Sequence, residues 1–345
     1  MDFYEQTRWK TNIKQWGYEL GFVSIGFTAA QPIDGLGPML KAHFDQGLAT
    51  PFEGKIIEQR INPQAVWESC QTVVALAYPF PLSSIPQEGE GVIARSAVGE
   101  DYHHLMNQKI DRLVEIMASN DWQGVSRRQV DTGPLVERAF AVRAGIGWIG
   151  RNHHLIIPGY GSFVALALLL LDQEIEPDHT PVPDQCGTCQ RCAQVCPAQI
   201  LGKDSFAAKQ CVSYLTQSKE VLTLEECERL ELRIFGCDTC QEACPHNQKR
   251  MEEELTDSSS SSSSSSSSLR RGIDLIETLN LTKGEFQQRF RLTAAGWRGK
   301  GVLQRNAFLA LHNGQDDRYE LWLAEHKKDK SVSPIIKPYI SSLSN

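Results

Sequence analysis

The chain has no long apolar run. Its longest, Phe163 to Leu171, ends at Asp172 after nine residues, whereas a helix crossing a bilayer needs about 20. Nor does it open like a secreted precursor: Met1-Asp2-Phe3-Tyr4-Glu5 carries acids instead of a basic stretch followed by an apolar one. These absences predict a cytoplasmic protein with no membrane partner. A positive balance is also missing. With 35 Lys and Arg against 42 Asp and Glu, the formal net charge is −7, so the molecule as a whole does not advertise nucleic-acid binding. A composition of 41% hydrophobic and 22% charged residues excludes fibrous and wholly disordered classes. At about 100–200 residues per domain, 345 residues suggest two or three domains.

What is abundant is cysteine, with ten. In a reducing compartment structural disulfides are rare, so metal ligation is the default wherever the spacing supports it. Cys186-x2-Cys189-x2-Cys192-x3-Cys196-Pro197 reproduces the bacterial ferredoxin run, in which three thiolates grip one [4Fe–4S] cluster and the fourth crosses to the other. A zinc site would more often show two separate CxxC pairs. Cys237-x2-Cys240-x3-Cys244-Pro245 is a second run, one cysteine short. By the crossing logic, Cys244 completes the cluster of Cys186, Cys189 and Cys192. Cys196, Cys237 and Cys240 then need one more thiolate, from Cys211 or Cys227. Cys227 follows a capping box (Thr223 to Glu226) and sits three residues from both Leu224 and Leu230, the spacing of a packed core position. Cys211 is therefore the expected ligand, and Cys70, just before an apolar strand, reads as packed. Two clusters in one small domain make an electron relay that something else in the chain must use.

Residues 1–175 read as α/β. The segments 22–27 and 72–78 look like strands, the second of the kind covered on both faces, and 163–171 is a buried strand. Leu105, Ile110, Leu113, Val114 and Met117 form a stripe on a helix over about 101–118. Gln129-Val130-Asp131 ends a strand, and Pro134 suits the first turn of a helix running to Arg143. Pro177, Pro181 and Pro183 mark a linker into the cysteine-rich segment 176–250. Residues 251–345 look helical, with apolar pairs at Leu275/Ile276, Val302/Leu303 and Leu321/Trp322 that would suit an α-solenoid fragment. The eleven serines 258–268 read either as a flexible linker or as stand-ins for residues of unassigned identity. From Phe286 to Gln315 there is no acid, while Arg289, Arg291, Arg298, Lys300 and Arg305 surround Trp297. A locally basic surface of this kind suits phosphate.

Several motifs together resemble the epoxyqueuosine reductases. They are Arg60-Ile61-Asn62-Pro63, Gly99-Glu100-Asp101-Tyr102-His103, Val130-Asp131-Thr132-Gly133-Pro134-Leu135-Val136-Glu137-Arg138-Ala139, Gly145-Ile146-Gly147-Trp148-Ile149-Gly150-Arg151-Asn152, Gly236-Cys237-Asp238-Thr239-Cys240-Gln241 and the segment Trp297 to Asn306. His246 stands where that family often has tryptophan. The resemblance implies a multidomain α+β and α/β architecture: an α/β cobalamin-binding catalytic domain (1–175), a ferredoxin-like domain with two [4Fe–4S] clusters (176–250) and a helical, HEAT-like tRNA-binding domain (251–345). It implies reduction of epoxyqueuosine to queuosine at the wobble position of tRNA anticodons, by cob(I)alamin recharged from the clusters. Asp131 would be the proton donor, with a pKa raised by burial against the corrin; the plainer reading is that it caps the following helix. Arg60, Ala97, Tyr102, Asn152, His154, Leu155 and Ser213 fall on or beside the cofactor motifs. Arg291, Trp297, Arg298, Lys300 and Arg305 would meet tRNA, and a flavodoxin or ferredoxin would donate electrons. Two other readings are a cytosolic reductive dehalogenase of a small organohalide and a non-enzymatic iron–sulfur carrier. The first has no use for a basic helical tail, and the second none for a large α/β domain.

Overall fold

The computed structural model describes residues 1–81, 85–178, 180–202, 205–258, 270–327, 329 and 332–343. The serine run lies outside them except for Ser258, which ends a helix.

The N-terminal part is built on a four-stranded sheet. Its strands are β1 (Ser24–Ala29), β2 (Thr72–Pro79), β3 (Ser126–Val130) and β4 (Val164–Leu171), in the order β1-β2-β4-β3. Every pairing is antiparallel, with Val74 opposite both Phe27 and Leu169. The apolar runs of β2 and β4 arise because both faces are covered. Val74 and Leu76 point toward α1 (Phe3–Glu19) and α2 (Tyr102–Ser119), in one core with Trp9, Ile13, Met106 and Ile110. Val73, Ala75 and Ala77 face the other way, onto Phe140 and Ala141 of α3 (Glu137–Arg143). The α2 stripe is Met106, Ile110, Leu113 and Met117. Met106 takes the place expected for Leu105, because a spacing of four, three and four residues keeps one face inward. Gly26 lets α3 lie flush on β1: a Cβ there would stand 2.2 Å from the Ala144 carbonyl oxygen.

A second core crosses the expected boundary at residue 250. Leu215, Leu222, Cys227, Leu230 and Ile234 pack with Leu275, Phe290, Leu303, Phe308 and Tyr339. Its small sheet joins three distant segments, Gly91–Ile93, Arg233–Phe235 and Gly272–Ile273. The central helix here is α4 (Lys300–Asn313), which is buried on every side from Val302 to Leu311. Among the described residues, no helix is long and apolar enough to cross a membrane.

Burial of α4 overturns one expectation. Arg305 is 0% exposed. Its guanidinium donates to the carbonyls of Ser218 (2.8 Å) and Leu215 (2.9 Å) and to Asn306 Oδ1 (2.8 Å), so it is a strut inside the protein and touches no phosphate. Asn306 adds bonds to the Thr216 and Ile234 carbonyls, both 2.7 Å. Arg305→Met is expected to strand two buried carbonyls at about 1–3 kcal/mol each, which a lower unfolding temperature would report. Were Arg305 one of the tRNA contacts the resemblance implies, the same variant would reduce the log–log salt slope of stem–loop binding by about 0.7; no such change is expected.

Candidate active site and cysteine cradle

Asp131 sits where β3 ends. Its φ of +53° and the Thr132 N–H to Val130 carbonyl bond of 2.6 Å turn the chain sharply. α3 begins only at Glu137, capped by Val136 without a side-chain bond, so Asp131 is not a helix cap. Its carboxylate instead meets the first turn of α2. The Tyr102 hydroxyl donates to Asp131 Oδ2 at 2.9 Å, and His103 Nε2 lies 3.1 Å from the same oxygen. The other ring nitrogen, His103 Nδ1, is 2.7 Å from Asp101 Oδ1. Asp101 also accepts the His103 backbone N–H, so one carboxylate both caps α2 and aims the imidazole. The Tyr102 and His103 rings stack at 4.1 Å.

The protein's own groups act on the Asp131 carboxyl, whose side chain is 60% exposed, in the direction opposite to burial against a corrin. The hydrogen bond to His103, aided by Tyr102, outweighs burial and holds Asp131 below the usual carboxylate range. Burial disfavours charge on His103, but its bonds to Asp101 and Asp131 prevail and push it up to about 9. Burial first, and then the Asp131 charge, keep Tyr102 protonated. At neutral pH the proton therefore resides on His103 and Asp131 is ionised. Nearby Glu137 is pushed up to about 8 by burial, against a 2.6 Å bond from Gln129. His103 gains affinity for its proton on folding, from 6.5 to about 9. Its contribution to stability is thus complete below about pH 6.5 and lost as pH rises through about 9. Accordingly, the gap in unfolding temperature between the wild type and His103→Gln should close between pH 7 and pH 10.

The residues expected around a corrin fall into two sets. Arg60 and the α3 side form the first. The Val136 N–H donates to the Arg60 carbonyl, and Arg138 reaches the His153 carbonyl at 3.0 Å. His154 is pushed down to about 4 by burial and then by Arg138, which leaves a neutral imidazole. Leu155 is buried, and Asn152 Oδ1 accepts the His154 N–H. Among the described residues, Asn152 Nδ2 and Arg60 Nε are buried with no hydrogen-bond partner. Orphaned donors of this kind fit a ligand rimmed with amide carbonyls. Ala97 and Ser213 form the second set. Ala97 is buried in the C-terminal core, against which Tyr102 packs, and Ser213 follows Val212 in the short helix Val212–Leu215.

The cysteines gather in two groups of four. Cys244 neighbours Cys186, Cys192 and Cys189. Cys240 is raised first by burial and then by Cys237, Cys211 and Cys196. Burial, with the charges of Cys237 and Cys196, pushes Cys211 up to about 11. Cys227 lies instead in the apolar core, its thiol toward the Leu222 carbonyl, and Cys70 is buried at β2. Among the described residues no three His, Cys, Asp or Glu side chains close on a single ion. Buried pairs fix the cradle. Arg95 and Arg271 reach Glu242 at 2.8 and 2.7 Å, and the Arg95 N–H reaches Asp238 at 2.8 Å. Asn247 ties the end of the run to Ser162 on the sheet side, accepting its N–H at 2.6 Å, and the His246 ring meets Trp148.

Comparison with known proteins decides the family. The chain is 36% identical over 317 residues to the epoxyqueuosine reductase of Listeria monocytogenes, covering 89% of this chain and 81% of that one. This protein belongs to the epoxyqueuosine reductase family. The Staphylococcus aureus enzyme is 35% identical over 309 residues, covering 88% and 79%. A family model described as epoxyqueuosine reductase QueG, DUF1730, matches residues 60–132, and a 4Fe-4S double cluster binding domain matches residues 185–247. The solved epoxyqueuosine reductase of Streptococcus thermophilus superposes with a TM-score of 0.86 at 34% identity, covering 97% of this chain and 89% of that one. Another, at 30% identity with a TM-score of 0.85 and 98% and 90% coverage, was solved with an epoxyqueuosine-modified tRNA stem loop.

Relative to the sequence expectations for this reductase-family chain, the basic segment is only partly open. Arg291 is exposed. Trp297 is 52% exposed, its indole N–H fixed to Gln217 Oε1 at 2.8 Å. Arg298 Nε donates to the Gln217 carbonyl at 2.7 Å, and Lys300 Nζ to the Leu281 carbonyl at 2.9 Å. The sequence reading missed His103 as the partner of Asp131 and Asp101 as the group that holds His103. An aspartate two residues before a histidine at a helix start was the available signal. Nothing local linked the pair to Asp131, 28 residues from His103.

Proposed function

We propose that this protein reduces epoxyqueuosine to queuosine at the wobble position of tRNA anticodons, in the cytoplasm. The observation that carries the reading is the carboxylate of Asp131, met at 3.1 Å by the His103 imidazole and at 2.9 Å by the Tyr102 hydroxyl, in a chain of the epoxyqueuosine reductase family. Opening the epoxide and expelling its oxygen as water consumes two electrons and two protons. Cobalamin, when bound, supplies the strong nucleophile or reductant, with electrons delivered singly through two [4Fe–4S] clusters. Arg60, Tyr102, Asn152, His154 and Ser213, with apolar Ala97 and Leu155, would line the corrin site. Cys186, Cys189, Cys192 and Cys244 would hold one cluster, and Cys196, Cys211, Cys237 and Cys240 the other. The protein's own acid–base work lies at Asp131. The proton stored on His103 Nε2 passes through Asp131 Oδ2 to the leaving oxygen, and Asp101 steadies the imidazole while it is charged. The helices after residue 271 are read as a HEAT-like unit presenting Arg291, Trp297, Arg298 and Lys300 to RNA, with a flavodoxin or ferredoxin as donor.

The test is anaerobic reconstitution with iron, sulfide, cobalamin and reductant, followed by nucleoside analysis of epoxyqueuosine-bearing tRNA. Queuosine should form only with the complete mixture. Bound corrin and clusters without any queuosine would defeat the reading.

A further inference from the structure

An aromatic patch at the surface joins all three parts of the chain. Phe52, on the loop before Arg60, is 43% exposed. Its ring centroid lies 5.1 Å from Trp297 and 5.3 Å from Tyr214. The Arg298 guanidinium stands 5.0 Å from the Phe52 ring and 4.7 Å from the Trp297 ring. A single exposed phenylalanine means nothing. This one is held in place. The next residue, Glu53, accepts the Thr50 N–H at 2.8 Å and lies 3.8 Å from Arg60, and Arg60 also donates to the Gly54 carbonyl. Trp297 and Arg298 are pinned from below by Gln217. Tyr214 directly follows Ser213, three residues after Cys211. The patch therefore lies between the Arg60 side of the candidate cofactor site and the basic C-terminal segment.

We propose that Phe52, Trp297 and Arg298 form a stacking platform for an unpaired nucleobase of the anticodon loop beside the reacting base. This rests on the RNA substrate assigned above. The chemistry selects the occupant. Phe52 and Trp297 meet edge to face, their planes 71° apart, with the Arg298 guanidinium over both rings; Trp297 and Arg298 belong to a stretch that has no acid from Phe286 to Gln315, and a half-exposed ring face beside a cation matches a base with its phosphate. An anticodon loop is single-stranded, so its bases can be splayed onto such a surface. Holding a neighbouring base there keeps the loop open while the modified base reaches the site.

The experiment uses reconstituted holoenzyme and two anticodon stem–loops, with 2-aminopurine replacing the nucleotide on one or the other side of the modified base. On wild type, at least one probe should be quenched on binding. Phe52→Ala should bind about 5- to 150-fold more weakly, the range for removing one base-stacking ring, and should lose the quench at saturation. Phe52→Trp should keep both. Arg291→Ala should weaken binding yet keep the quench at saturation. Unchanged cluster and corrin absorbance would show that the variants are intact. If wild type binds RNA and Phe52→Ala matches it in affinity and quench, the platform is overturned alone. If wild type binds neither stem–loop, the RNA reading falls with it.

Discussion

Asp131→Ala should lower the single-turnover rate of queuosine formation by about 10²- to 10⁴-fold, the usual contribution of a positioned general acid. Corrin absorbance and stem–loop affinity should be unaffected. Asp131→Asn should be nearly as slow, because an amide cannot pass on the proton. It should also lower the pKa of His103, which loses one of the two carboxylates that raise it to about 9. An imidazole titration followed by NMR would show the shift. If Asp131→Ala turned over like wild type with cobalamin bound, the proton route would have to start elsewhere, and the neighbouring Glu137, pushed up to about 8, would be the next carboxyl to test.

The second large effect concerns iron. Reconstituted wild type should hold about eight irons per chain, two clusters of four. Cys211→Ser should fall to about four, because Cys196, Cys237 and Cys240 then offer three thiolates. Cys227→Ser should keep both clusters and instead lose stability, since it places a hydroxyl in the core around Leu222 and Leu230 at about 1–3 kcal/mol if unpartnered. Iron and sulfide analysis of both variants separates the two cysteines. The reverse pattern would reassign the ligand and detach Ser213 from the cluster's neighbourhood.

The contrast between these cysteines shows why parts of the molecule could be read directly. Cluster spacing is local: the C-x2-C-x2-C-x3-C-P run wraps its own backbone, so the chemistry is written in consecutive residues. The capping box at Thr223 and Glu226 is equally local and forms as read. The strands β2 and β4 follow from apolar runs, whereas β3 reads Ser-Arg-Arg-Gln-Val and carries none; the antiparallel pairing does not follow either, since a strand covered on both faces looks the same in either direction. Charge misled in two places. Arg305 lies in an acid-free, basic stretch, yet burial of α4 turns it into a strut for the Leu215 and Ser218 carbonyls. At Asp131 the raised value was expected from burial against the corrin, and the protein's own His103 and Tyr102 act in the other direction.

By itself the sequence determined the two-cluster cysteine framework, the apolar strands, the family motifs and a basic stretch around Trp297. All of these depend on residue identity and near-neighbour spacing. Tertiary structure alone decided which carboxylate meets which imidazole, which basic side chains reach solvent, and which aromatic rings from three distant segments share one surface. Those outcomes depend on through-space distance and on water exclusion, which set hydrogen bonding and charge and have no fixed relation to separation along the chain.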